Sequence, residues 1–105
     1  MNRTPDSCNS LADVRAEIDR LDEHIVRLLA ERGGYVLAAA RFKRSADEVK
    51  APLRVEQIIA RVRSLAAAKG ASPDVLERIY REMIEAFTDA ERADWVQRQP
   101  HGAQT

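Results

Sequence analysis

The sequence predicts an all-α fold, with one long N-terminal helix, a loop and two shorter helices, and with two copies of the chain paired. Three observations carry this. Aromatic residues make up only 5% of the chain while Ala, Leu, Glu and Arg abound, a composition weighted towards good helix formers. From Leu11 to Phe42 the apolar positions recur in steps of three and four, the spacing of a helix that packs along its whole length. Residues suited to helix starts and stops, Ser10, Pro52, Gly70 and Ser72-Pro73, stand at the edges of the periodic stretches.

The first helix is predicted from about residue 11 to about residue 43. Its seam reads Leu11, Val14, Ile18, Leu21, Ile25, Leu28, Arg32, Tyr35, Ala39 and Phe42. Ser10 is placed to cap it, with Asp13 as a loose capping partner. Gly33-Gly34 suits a helix end and a hairpin turn, but the seam keeps its phase across the pair, which favours one uninterrupted helix. Such a helix is roughly 50 Å long, whereas a compact domain of this size has a radius of gyration of about 13 Å. It overhangs what the rest of the chain can cover, so a homodimer is the economical expectation.

The stretch "RSADEVKAP" that follows is polar and ends in proline, which reads as a loop. Pro52 suits the first turn of a second helix with the stripe Val55, Ile58, Ile59, Val62, Leu65 and Ala66, closed by Gly70. Ser72-Pro73 opens a third with Leu76, Ile79, Tyr80, Met83, Ile84 and Phe87 inward. The organisation expected is an N-terminal segment (1–10), one helical domain (11–96) and a frayed tail (97–105).

Bulk properties exclude several functions. Net charge is +0, without the basic face a nucleic-acid binder needs. Cys8 is the only cysteine, and His24 and His101 are far apart, which argues against an internal disulfide and against a zinc site. No apolar run approaches the roughly 20 residues of a membrane span, and the N-terminus carries no hydrophobic signal region. A cytoplasmic, membrane-free protein is the expectation.

The charges inside the pattern carry the chemistry. Arg32 occupies the seam itself. Lys43 follows eleven residues later, which returns within about 20° of the same helix face and about 16 Å along the axis. Arg15 lies about 40 Å from Lys43 and off that face, but in an antiparallel dimer it reaches the cluster from the partner chain. Arg54 edges the second helix, and Glu91, four residues after Phe87, falls on the inward face of the third. Burying cations without counter-charge costs several kcal/mol each, and one carboxylate does not balance this set. The sum points to a pocket for a small anion with two carboxylates, held by arginine forks. Each residue alone has an ordinary alternative: Arg32 as a snorkelling side chain or the partner of Glu91, Lys43 as a solvated lysine at a helix end.

The stretch "LADVRAEIDRLDEHIVRLLAERGGYVLAAARFK" resembles the long first helix of the all-helical (AroQ-class) chorismate mutases: an Arg ahead of I-D-x-L-D, an Arg after the leucine run, and a Lys eleven residues later. The segments "TPDSCNSLADVR", "RFKRS" and "APLRV" are similar to the isochorismate-pyruvate lyase branch of that class. The likeness runs from Thr4 to about Trp95. It implies an intertwined homodimer with two sites, each completed by an arginine from the other chain. By that likeness Arg15 from one chain and Arg32 from the other grip the substrate's carboxylates. Lys43 serves the ether oxygen and a carboxylate, Arg54 lines the pocket, and the loop after Lys43 closes it. Glu91 stands where many members carry a glutamine that donates to the breaking ether bond. Three positions depart from the pattern. Val55 replaces the Glu that dedicated mutases often carry after the second-helix Arg, as in the lyase branch. Glu91 replaces the glutamine and donates only when protonated, so activity is expected to fall as pH rises through its titration. Gly33-Gly34 replaces larger residues.

The reactions implied are pericyclic and call for no nucleophile, metal or cofactor. The readings set side by side are a lyase forming salicylate and pyruvate from isochorismate, with mutase activity retained; a dedicated mutase converting chorismate to prephenate; and a non-catalytic helical dimer whose seam arginine is satisfied by protein acids.

Overall fold

The computed structural model describes residues 3–45, 48 and 51–98. Among these the regular elements are all helical: a short 3-10 turn at Pro5–Ser7, then α1 (Leu11–Ala39), a 3-10 turn at Ala40–Phe42, α2 (Pro52–Ala68) and α3 (Pro73–Arg98). By its contacts the chain divides into two compact units, residues 1–35 and 36–105, and each is described by itself.

The first unit holds most of α1. Ser10 caps it as expected, its Oγ accepting from the Asp13 N–H at 3.0 Å. The reciprocal contact is displaced by one residue, since the Asp13 carboxylate accepts from the backbone N–H of Asn9 at 3.0 Å. That bond, followed by the nearby Arg3 guanidinium, holds the Asp13 carboxyl below its ordinary value against its desolvation. Arg3 also donates to Glu17, tying the N-terminal segment to the first two turns. The helix runs unbroken through Gly33-Gly34, so the hairpin alternative is set aside. Gly33 is buried, while a Cβ added at Gly34 would meet nothing within 4 Å. The large apolar seam residues stand exposed, from 39% at Val14 to 73% at Tyr35.

In the second unit α2 and α3 form an antiparallel-type hairpin closed at Lys69-Gly70, where Gly70 takes the left-handed conformation (φ 76°) that ends a helix cheaply. Ser72 caps α3 through the Val75 N–H at 3.3 Å. Ile59, Val62 and Ala66 of α2 are buried, as the stripe predicts, and Ala40 joins them. The outer face of the hairpin is tied by charge. Arg63 donates to Asp74 and Glu77, and Arg81 to Glu77 and, in a two-pronged fork, to Glu56.

The end of the first helix departs from expectation. The α-helix stops at Ala39 and tightens into the 3-10 turn Ala40–Phe42, which packs on α3. The Lys43 N–H closes that turn on the Ala40 carbonyl at 3.2 Å, the tighter bonding that commonly finishes a helix. α3 runs to Arg98, whose guanidinium pairs with Asp94 at 2.8 Å. Residues 46, 47, 49 and 50 of the expected closing loop, and 99–105 of the expected tail, lie outside the described residues. Ala51, directly before Pro52, sits at φ 36°, ψ 64°, left-handed backbone that an L-residue other than glycine adopts at a cost.

Candidate active site

The site grows from the inward face of α3. Leu76, Tyr80, Met83, Ile84 and Phe87 set an apolar stripe at helical spacing, and Glu91 continues it one turn on. The helix therefore carries a carboxylate into the interior, and Glu91 is 2% exposed. A charge held there requires a partner. Lys43 supplies it: the Nζ donates to Glu91 Oε2 at 2.7 Å, with the lysine side chain itself 22% exposed. An ammonium has three N–H donors, and the pair with Glu91 engages one of them.

Lys43 is held at its backbone as well. It leaves the 3-10 turn in extended conformation (φ −96°, ψ 142°), so its carbonyl faces away from the helical ladder. The indole Nε1 of Trp95 donates to that carbonyl at 3.4 Å. Trp95 lies four residues after Glu91 on the same face of α3. Beyond Lys43, the Arg44 N–H donates to the Glu48 carboxylate at 2.8 Å and the Glu48 N–H to Ser45.

The second unit thus brings together Lys43 and Glu91. Arg54, exposed in the first turn of α2, and the half-buried Val55 beside it make no hydrogen bond or ion pair to Lys43 or Glu91 among the described residues. Arg15 and Arg32 belong to the first unit, on α1: Arg15 is exposed, and Arg32 is half-buried and already engaged in an interaction of its own. Glu91, offered from sequence as a possible counter-ion for Arg32, pairs with Lys43. Trp95 was not singled out by sequence. The signal available for it was its four-residue step from Glu91, since its bond falls on a main-chain carbonyl.

Chemically, a lysine ammonium fixed by a buried carboxylate is a preorganised cation with donors to spare. It can stabilise negative charge developing on an ether or carboxylate oxygen without reorganising first. Among the described residues no helix is long and apolar enough to cross a membrane.

Comparison with known proteins agrees with the resemblance read from the motifs. The chain is 36% identical over 101 residues to the isochorismate pyruvate lyase of Pseudomonas aeruginosa, an alignment that takes in 96% of this chain and 98% of that protein. Residues 14–92 match the family described as chorismate mutase type II. That span contains Arg15, Arg32, the 3-10 turn, Lys43, Arg54 and Glu91, and with it the chain belongs to the chorismate mutase type II family.

Proposed function

We propose that this chain is a pericyclic enzyme of isochorismate and chorismate, an isochorismate-pyruvate lyase that retains chorismate mutase activity. The observation that carries the proposal is the Lys43–Glu91 pair, a cation held at 2.7 Å by a buried carboxylate. The chain around it belongs to the mutase family and is 36% identical to a lyase. In the lyase reaction the ether C–O bond breaks. A ring hydrogen passes to the enolpyruvyl methylene carbon, and salicylate and pyruvate leave. Charge gathers on the ether oxygen as the bond breaks, and the Lys43 ammonium stabilises it there. Arg15 and Arg32 grip the two carboxylates and hold the flexible substrate in its compact reactive shape. Arg54 and Val55 line the pocket from α2.

The working assembly in this proposal is a homodimer with Arg15 supplied across the interface. Its support is the row of exposed apolar side chains along α1, Leu11, Ile18, Leu21, Ile25 and Leu28 among them, a surface that monomers rarely leave in water. A second reading, a dedicated chorismate mutase, is favoured by the family match alone. Val55, in place of a glutamate, and the 36% identical lyase favour the first.

The test is a paired assay of purified protein with isochorismate and with chorismate. Salicylate formation with slower chorismate loss is expected. Prephenate formation without salicylate would make the protein a dedicated mutase. Silence with both substrates would return the Lys43–Glu91 pair to a purely structural role.

A further inference from the structure

We infer that Trp95 is a positioning residue for Lys43: by holding the Lys43 main-chain carbonyl it fixes where the ammonium sits. The inference rests on the reading of Lys43 as the group beside the ether oxygen.

Lys43 stands where helical bonding ends. Its N–H still closes the turn on Ala40, but its extended backbone leaves the carbonyl without a helical partner. The neighbouring helix supplies one in Trp95 Nε1 at 3.4 Å, a half-buried side chain. Four residues earlier the same face of α3 supplies Glu91, 2.7 Å from Nζ. Two side chains one turn apart therefore grip one lysine at both ends, Glu91 at the tip and Trp95 at the root. The tip contact alone leaves ψ of Lys43 and the start of its side chain free to drift. The root contact removes that freedom. A long side chain with several rotatable bonds must be held to within about half an ångström to act on a bond-breaking step. Trp95 does this without touching the substrate, so its loss reads in turnover rather than in binding.

A neutral hydrogen bond contributes about a 2- to 12-fold factor, and at 3.4 Å this one belongs to the lower part of that range. The variant Trp95→Phe keeps an aromatic ring, though a smaller one, and removes the N–H. In the full chain, assayed with isochorismate and with chorismate, kcat is expected to fall about three- to fivefold with KM within about twofold of the parent. A second measurement needs no variant. The chain has one tryptophan, so its single indole N–H resonance reports the bond directly and is expected to exchange with solvent at least about tenfold more slowly than free indole. Unchanged kcat in a folded Trp95→Phe protein would overturn the inference. So would a loss confined to KM, or indole exchange at the free rate. Silence of the parent protein with both substrates overturns the functional reading itself, and the positioning role with it.

Discussion

At the scale of single residues, the site reduces to how one lysine is held. Lys43→Ala removes the cation that meets the ether oxygen, and turnover is expected to drop by about 10²- to 10³-fold, the range for losing a preorganised stabilising group. Elution volume and helical circular dichroism should remain those of the parent. Near-normal turnover in such a folded variant would sink the assignment. Glu91 gives a finer test. In the structure it accepts from Lys43 through Oε2, whereas a donor role towards substrate requires its proton. Glu91→Gln, whose amide donates without gaining a proton, separates the two roles: kcat/KM at or above the parent's is expected if a donor at this position acts on the substrate. A fall in kcat/KM would leave Glu91 as the anchor of Lys43 and nothing more. Two members of this site, Lys43 and Glu91, were legible in the sequence. The step of four from Phe87 put Glu91 inside, and the eleven-residue step from Arg32 marked Lys43. The grip of Trp95 was not legible, because a bond to a main-chain carbonyl depends on where a helix happens to end.

At the scale of elements, the α2–α3 hairpin is tied by Arg63 and Arg81 to three carboxylates. Hydrogen bonds from Arg81, the largest influence on both, hold the carboxyls of Glu56 and Glu77 below their ordinary values, outweighing desolvation. For carboxyls lowered in this way, the stabilisation is complete above the ordinary carboxylate range and is lost as pH falls through the lower folded values. Arg81→Met should therefore lower Tm modestly at neutral pH, and the gap to the parent should narrow in acid and in high salt. A gap that stays constant across pH and salt would assign the loss to packing of the arginine stem. In α1, Gly34 has helical backbone and open space where a Cβ would stand. Gly34→Ala is expected to stabilise by about 0.8–1 kcal/mol, roughly 4–8 °C in Tm for a domain of this size. A fall in Tm would mean that a second chain approaches the helix at that point. The unbroken helix through the glycines was legible from the phase of the seam, as were most of the stripes of α2 and α3, from which Leu65 (46% exposed) and Ile79 (54% exposed) depart. The tightening at Ala40–Phe42 was not, since nothing in "ARF" distinguishes a 3-10 turn from one more turn of α-helix.

At the scale of the whole molecule, the buried apolar residues among those described are few and mostly small: Ala40, Ile59, Val62 and Ala66. The larger apolar side chains of α1 remain in water within one chain. Covering the half of a side chain such as Ile25 that is still exposed, 51%, contributes about 1 kcal/mol. Ile25→Lys removes this twice in a symmetric pair, so the dissociation constant of the proposed dimer should rise by at least about 30-fold. Light scattering would show the parent as a dimer and the variant as a monomer at matched concentration. A parent that elutes as a helical, active monomer would overturn the pairing. The exposed seam of α1 also has a kinetic consequence. If each site borrows an arginine from a second chain, the catalyst is a product of encounter, and its amount scales with the square of the chain concentration where the pair is mostly dissociated. Specific activity would then fall on dilution and recover on concentration. A cell making the protein slowly would gain its first turnover only after enough chains had met.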